Sequence, residues 1–132
     1  MLMSPFSLSS VGLMLMIGAD GKTKETLQDT FRFNSSLKDT KYLNGYKKLM
    51  QLLNGNEGVI LKAANSLFVM KDYHLLEKFK FQMLEYLNSS ITNVNFAESA
   101  KAAHIINSWV SENTANRIND LVKPRDLREP IK

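Results

Sequence analysis

Residues 4–18, SPFSLSSVGLMLMIG, begin the chain with a helix too apolar to stand in water by itself. Ser4 offers a capping oxygen, and Pro5 sits where the helix needs no backbone donor, so the start is well marked. Phe6, Leu8, Val11, Leu13, Met14, Leu15, Met16 and Ile17 then spread over more than one face. A helix apolar nearly all round has to be covered on most sides. Gly18 stops it, and Asp20-Gly21 turns the chain. The run is too short for a membrane span, which takes about 20 apolar residues. A signal peptide cleaved near Gly18-Ala19 is the weaker reading: no basic residue precedes Lys22, and Pro5 and the serines at 4, 7, 9 and 10 dilute the run. The helix therefore implies a body around it.

The remaining periodicity describes an α+β chain. Thr23 caps a second helix to about Phe33, with Leu27 and Phe31 one turn apart. A third helix, from about Leu37 to Leu53, carries the stripe Tyr42, Tyr46, Leu49, Met50 and Leu53. After the turn signal NGNEG, Val59 to Met70 (VILKAANSLFVM) is apolar on both parities, which predicts an interior strand covered on both faces. A fourth helix spans about Leu75 to Leu87, with Leu76, Phe79, Met83 and Leu87 on one face. Thr92, Val94 and Phe96 alternate with asparagines as a short half-buried strand. A fifth helix covers about Ser99 to Asp120, striped by Ala102, Ile105, Ile106, Trp109 and Val110, then Ile118 and Leu121. KPRDLREPIK reads as loop or disordered tail. Five helices and one short partner strand do not cover this much apolar surface, so the chain reads as a piece of a larger domain, with poor stability by itself.

Charge and motifs exclude several functions. The net charge is +4, but lysines alternate with acids, as in Lys24-Glu25, Lys38-Asp39, Lys71-Asp72 and Glu77-Lys78. Nucleic-acid binders segregate their basic residues, so neither nucleic acid nor membrane is an expected partner. The densest basic group is Lys38, Lys41, Lys47 and Lys48, which reads first as a solvated helix face. With no cysteine, and with His74 and His104 each lacking a companion at ligand spacing, no metal or other cofactor is expected. GADGKT ends like a phosphate loop, yet the position that needs glycine is Met16 and the element before it is a helix. It reads as a helix-to-helix turn. No serine lies in a G-x-S-x-G elbow, so a hydrolase has no support and no enzyme is expected. Asn34-Ser35-Ser36 and Asn88-Ser89-Ser90 are N-glycosylation sequons at element boundaries.

Four stretches in register carry a family resemblance. Ser4-Pro5-Phe6-Ser7-Leu8, then Met16-x-Gly18-Ala19-x-Gly21-x-Thr23, resembles the second helix of the serpins and the turn after it. Ala64-Asn65-Ser66-Leu67-Phe68-Val69 resembles the family's A-N-x-L-F/Y strand, and Val94-Asn95-Phe96 its V-D-F strand. Ile105-Ile106-Asn107-Ser108-Trp109-Val110, then Thr114 and Ile118, resembles the helix crossing the front of the main sheet. The chain departs from the family where Asn116 replaces a usual glycine and Asn95 a usual aspartate.

The resemblance implies a partial serpin fold of about five helices, with two strands belonging to the large central sheet. It divides the chain into residues 1–122, the N-terminal part of an incomplete serpin domain, and a divergent polar tail, 123–132. Serpins trap serine or cysteine proteases when a cleaved reactive-centre loop inserts into their main sheet. The resemblance places that loop outside these residues, so the chain alone should not inhibit, and catalytic residues are not expected. It makes Ser4, Pro5 and Ser7 part of the shutter region, where small polar residues lie beneath the opening sheet. It also places Lys38, Lys41, Lys47 and Lys48 on the helix that binds heparin-like glycosaminoglycans in some members. A secreted parent follows from the same likeness. A non-inhibitory carrier of the same fold and an unrelated helical polyanion-binding domain are the alternatives.

Overall fold

A computed structural model describes residues 4–54 and 63–128. The elements are α1 (Pro5–Gly18), α2 (Gly21–Phe31), α3 (Asp39–Asn54), β1 (Asn65–Met70), α4 (Glu77–Leu87), β2 (Ser89–Val94) and α5 (Ser99–Asn113), then a 3-10 turn at Pro124–Leu127. β1 and β2 pair in a two-stranded sheet. Lys71 N donates to Val94 O at 2.9 Å, which sets the C-terminal ends of both strands side by side. They therefore run parallel, and α4 is the crossover that a parallel pair requires. The α+β class expected from periodicity is the class observed.

The chain divides into two compact units: residues 1–65 with 75–90, and residues 66–74 with 91–132. In the first, the Ser4 side chain caps α1 by accepting from Ser7 N, with Pro5 in the first turn. Leu13, Met14 and Met16 are buried, and Gly12 lets α1 approach α2 so closely that a Cβ would stand 2.5 Å from the Phe31 ring. From Ser10 onward the helix is covered on most sides, with Ser10, Gly12, Leu13, Met14 and Met16 buried, but Leu8, Val11 and Leu15 form one open stripe, each about half exposed. The helices of this unit leave only that stripe uncovered beyond Ser10.

Asp20, not Thr23, caps α2; its Oδ1 accepts from Gly21 N at 2.8 Å. The helix consequently starts at Gly21, whose φ of +53° suits a residue without a Cβ. α3 buries Leu43, Tyr46 and Met50, and α4 buries Met83 and Leu87. Asn88, left-handed at φ 46°, closes α4, and β2 begins immediately at Ser89, earlier than the Thr92 alternation suggested. Phe96 lies beyond the strand.

In the second unit, β1 is shorter and less covered than the apolar run predicted. Residues 59–62 of that run lie outside the described residues, Ala63 and Ala64 are not strand, and Asn65 to Val69 are only half-buried. One neighbouring strand cannot cover two apolar faces. Phe68 meets Trp109 of α5 edge to face, at 6.0 Å between centroids. Ala102, Ala103, Ile106 and Val110 are the buried face of α5. At its start Glu98 pairs with Lys101; that hydrogen bond first, and one from Asn95, hold the Glu98 carboxyl below its ordinary pKa.

α5 ends at Asn113, well short of Asp120. Thr114 Oγ1 donates to Val110 O at 2.8 Å, and Ala115 and Asn116 turn left-handed at φ 51° and 60°. Asparagine tolerates this conformation, which accounts physically for Asn116 standing where the resemblance expects glycine. Alanine does not tolerate it well. Ala115→Gly is expected to stabilise this turn by about 0.5–1 kcal/mol, net of glycine's greater freedom when unfolded. Amide exchange of Arg117 and Ile118, both bonded back to Thr114, should slow about two- to fivefold. Unchanged exchange would show that the turn carries no strain. The tail is not all loop: Lys123 N donates to Asp126 Oδ2 at 2.9 Å and closes the 3-10 turn.

Candidate functional site

The first turn of α1 holds the residues assigned to a shutter. Ser4, Pro5 and Ser7 are all exposed, and the Ser4 hydroxyl is occupied as the helix cap, 3.3 Å from Ser7 N. One turn further on lies a polar connection that periodicity did not reveal. Ser10 Oγ is 2.9 Å from Phe6 O and 2.9 Å from Tyr46 Oη, and Asn65 Nδ2 donates to Tyr46 Oη at 3.1 Å. One assignment satisfies every group: Asn65 donates to Tyr46, Tyr46 to Ser10, and Ser10 to the Phe6 carbonyl. Phe6 stacks on Tyr46, with centroids 5.8 Å apart and planes 10° apart. The chain of bonds ties the first residue of β1 to α3 and α1. Among the described residues no buried side-chain nitrogen or oxygen lacks a partner. The available sequence signal was a tyrosine inside an apolar stripe, whose hydroxyl needs a partner when buried.

The basic group divides. Lys41 and Lys48, two turns apart, are exposed on the side of α3 opposite Leu43 and Met50. Lys38 is exposed just before the helix. Lys47 points instead toward α4, where it pairs with Glu85 and lies 5.6 Å from the Tyr86 ring centroid. Its charge is partly neutralised and its position is fixed, so three lysines form the open cationic face.

Both sequon asparagines are exposed. Asn34 Oδ1 accepts from Ser36 N at 2.9 Å in a tight turn, and Asn88 is the left-handed end of α4. GADGKT spans the junction of α1 and α2, with only Ala19 and Asp20 between the helices and Gly21-Lys22-Thr23 already in the first turn of α2. His74 and His104 are exposed, and no cluster of metal-ligating side chains occurs among the described residues. No described helix is long and apolar enough to cross a membrane.

In the second unit, Asn107 acts as a clamp. Its Nδ2 donates to Val122 O at 2.8 Å, and its Oδ1 accepts from Leu121 N and Val122 N, both at 3.0 Å. One side chain thus pairs with the returning segment much as a neighbouring strand would.

With these elements in place, comparison with known proteins is decisive. Residues 1–131 match the family model described as Serpin (serine protease inhibitor). The chain belongs to the serpin family. Human neuroserpin is 34% identical over 127 residues, covering 96% of this chain and 31% of that protein. Mouse plasminogen activator inhibitor 1 is 34% identical, covering 90% of this chain and 29% of that one. Among solved structures, a serpin of the insect Tenebrio molitor, Serpin48, superposes with a TM-score of 0.88 at 29% identity, over 98% of this chain and 35% of its own. The chain thus spans about a third of the length of the serpins it matches, as a partial serpin fold. The matched residues continue past Val122 into the polar tail.

Proposed function

We propose that these residues are the N-terminal scaffold of a serpin whose full-length form is a suicide inhibitor of a serine or cysteine protease, and that they do not inhibit by themselves. The supporting observation is the family match over nearly the whole chain, joined to coverage of only 31% of neuroserpin. Inhibition in this manner adds a strand to a sheet, and so needs a bait segment and a sheet that can receive it. The described sheet has two strands. Incubating the 132-residue chain with trypsin-like and chymotrypsin-like proteases is expected to yield no denaturant-stable covalent complex, and residual protease activity should equal that of the control. A band at the summed mass would overturn the reading.

On the same reading the parent is secreted, and Asn34 and Asn88 carry N-linked glycans. Both side chains are exposed at turns, where a glycan displaces no packed atom. Expressed through a eukaryotic secretory pathway, the chain should lose mass on peptide N-glycosidase treatment, and Asn34→Gln and Asn88→Gln should each remove one glycan. An unshifted mass in secreted protein would refute glycosylation. A sulfated polysaccharide would sit on Lys38, Lys41 and Lys48, with Lys47 contributing least because Glu85 already holds it. Ser4, Pro5 and Ser7 keep the shutter role, with Ser4 also serving as a helix cap.

A further inference from the structure

A slot of about 280 Å³ runs between α1 and α3, independent of any inhibitory role. Two ring contacts define its ends: Phe33 meets Tyr42 edge-on at one, 5.2 Å between centroids, and Phe6 stacks on Tyr46 at the other. The Tyr46 and Ser10 hydroxyls along its floor already satisfy each other. Lys41, adjacent to Tyr42, lines the Phe33 end and forms no ion pair among the described residues.

Gly45 lies between the two ends, inside α3. No described feature requires glycine there: its φ is not positive, and a Cβ would meet nothing within 4 Å. Glycine inside a helix weakens it relative to alanine, so the residue has a cost without a local structural benefit. What the missing side chain does is keep the middle of the slot open.

Apolar walls with a few polar groups are the usual construction of a small-molecule cleft. Here the one unpaired charge is a cation at one end. A neutral hydrocarbon would leave that ammonium unused, and an inorganic anion would leave the rings unused. We propose that the slot binds an amphiphilic anion, a medium-chain carboxylate, with its chain along Gly45 toward Phe6 and its head on Lys41. The charge-assisted hydrogen bond to the ammonium fixes the orientation.

Decanoate, below its micelle concentration, is the probe, with decanol as the neutral control, titrated into the 15N-labelled 132-residue chain. Decanoate is expected to shift amides of Leu13, Gly45 and Leu49 while leaving those of α5 in place. Gly45→Leu should weaken binding at least about tenfold by filling the slot, and its far-UV dichroism should keep full helicity because leucine is the better helix former. Gly45→Ala, adding one methyl, should fall between. Lys41→Gln should weaken decanoate about tenfold and leave decanol unchanged. The proposal fails if wild type shows no shifts, if Gly45→Leu binds as well as wild type, or if Lys41→Gln affects both probes alike. It also fails if an acidic amphipathic peptide displaces decanoate with higher affinity, which would make the slot a helix-docking groove.

Discussion

Met16→Ala is expected to loosen α1 more than any other single truncation along that helix. Met16 is fully buried, at 0% exposure, so removing its side chain loses the transfer energy of the deleted atoms and leaves a void. Buried Met-to-Ala changes cost about 2–5 kcal/mol. The lower end corresponds to roughly a 30-fold change in the opening equilibrium. Amides of Leu13 to Ile17 should therefore exchange at least about 30-fold faster in the variant. Leu15→Ala is the internal control: Leu15 is next in sequence and just as apolar, but 52% exposed, and its replacement should change exchange less than about threefold. Equal effects at both positions would mean that the difference in burial along α1 does not hold in solution.

Asn107→Ala should release the segment that returns along α5. Three hydrogen bonds disappear together, each worth about 0.5–1.5 kcal/mol net. Water compensates at the exposed Leu121 end, so a total near 2 kcal/mol is the expected loss, or roughly a 30-fold rise in opening. Trypsin cutting at Arg117, which is followed by Ile118, should accelerate by a comparable factor, because proteolysis follows the open population when opening is fast. Asn107→Asp keeps the acceptor for Leu121 N and Val122 N but loses the donor to Val122 O, so it should fall between wild type and alanine. Unchanged cutting in the alanine variant would show that the clamp contributes nothing to order in this segment.

Much of this architecture could be read from periodicity, and the exceptions have physical reasons. Ser4-Pro5 marked the start of α1 because capping is local chemistry, and spacing placed Tyr46 and Met50 on the buried face of α3, although it missed the buried Leu43 and included Leu49, which is exposed. The cap of α2 was misplaced because Asp20-Gly21 also reads as a turn, which left Thr23, a weaker capping residue than aspartate, as the apparent start. The early end of α5 was invisible because alanine, the best helix former, sits at Ala115 in a left-handed turn. The Ser10–Tyr46–Asn65 connection joins residues far apart in sequence, and no local pattern announces it. The split among the lysines depended on Glu85 arriving from another helix. Helix composition gave the apolar character of α1 correctly, but how much of that surface is covered depends on what else is present.

The parallel pairing of β1 and β2 through α4 has a consequence for how this region is made and cut. The path of the chain passes from one compact unit to the other after residues 65, 74 and 90. Neither unit is a continuous stretch, so neither can be excised as a clone or released whole by a protease. On the ribosome, α1 to α3 must wait for α4 before their unit is complete, while β1 emerges in the interval with its partner strand still unmade. A nascent chain arrested between Met70 and Ser89 would expose an unpaired strand and an incomplete helical unit at once.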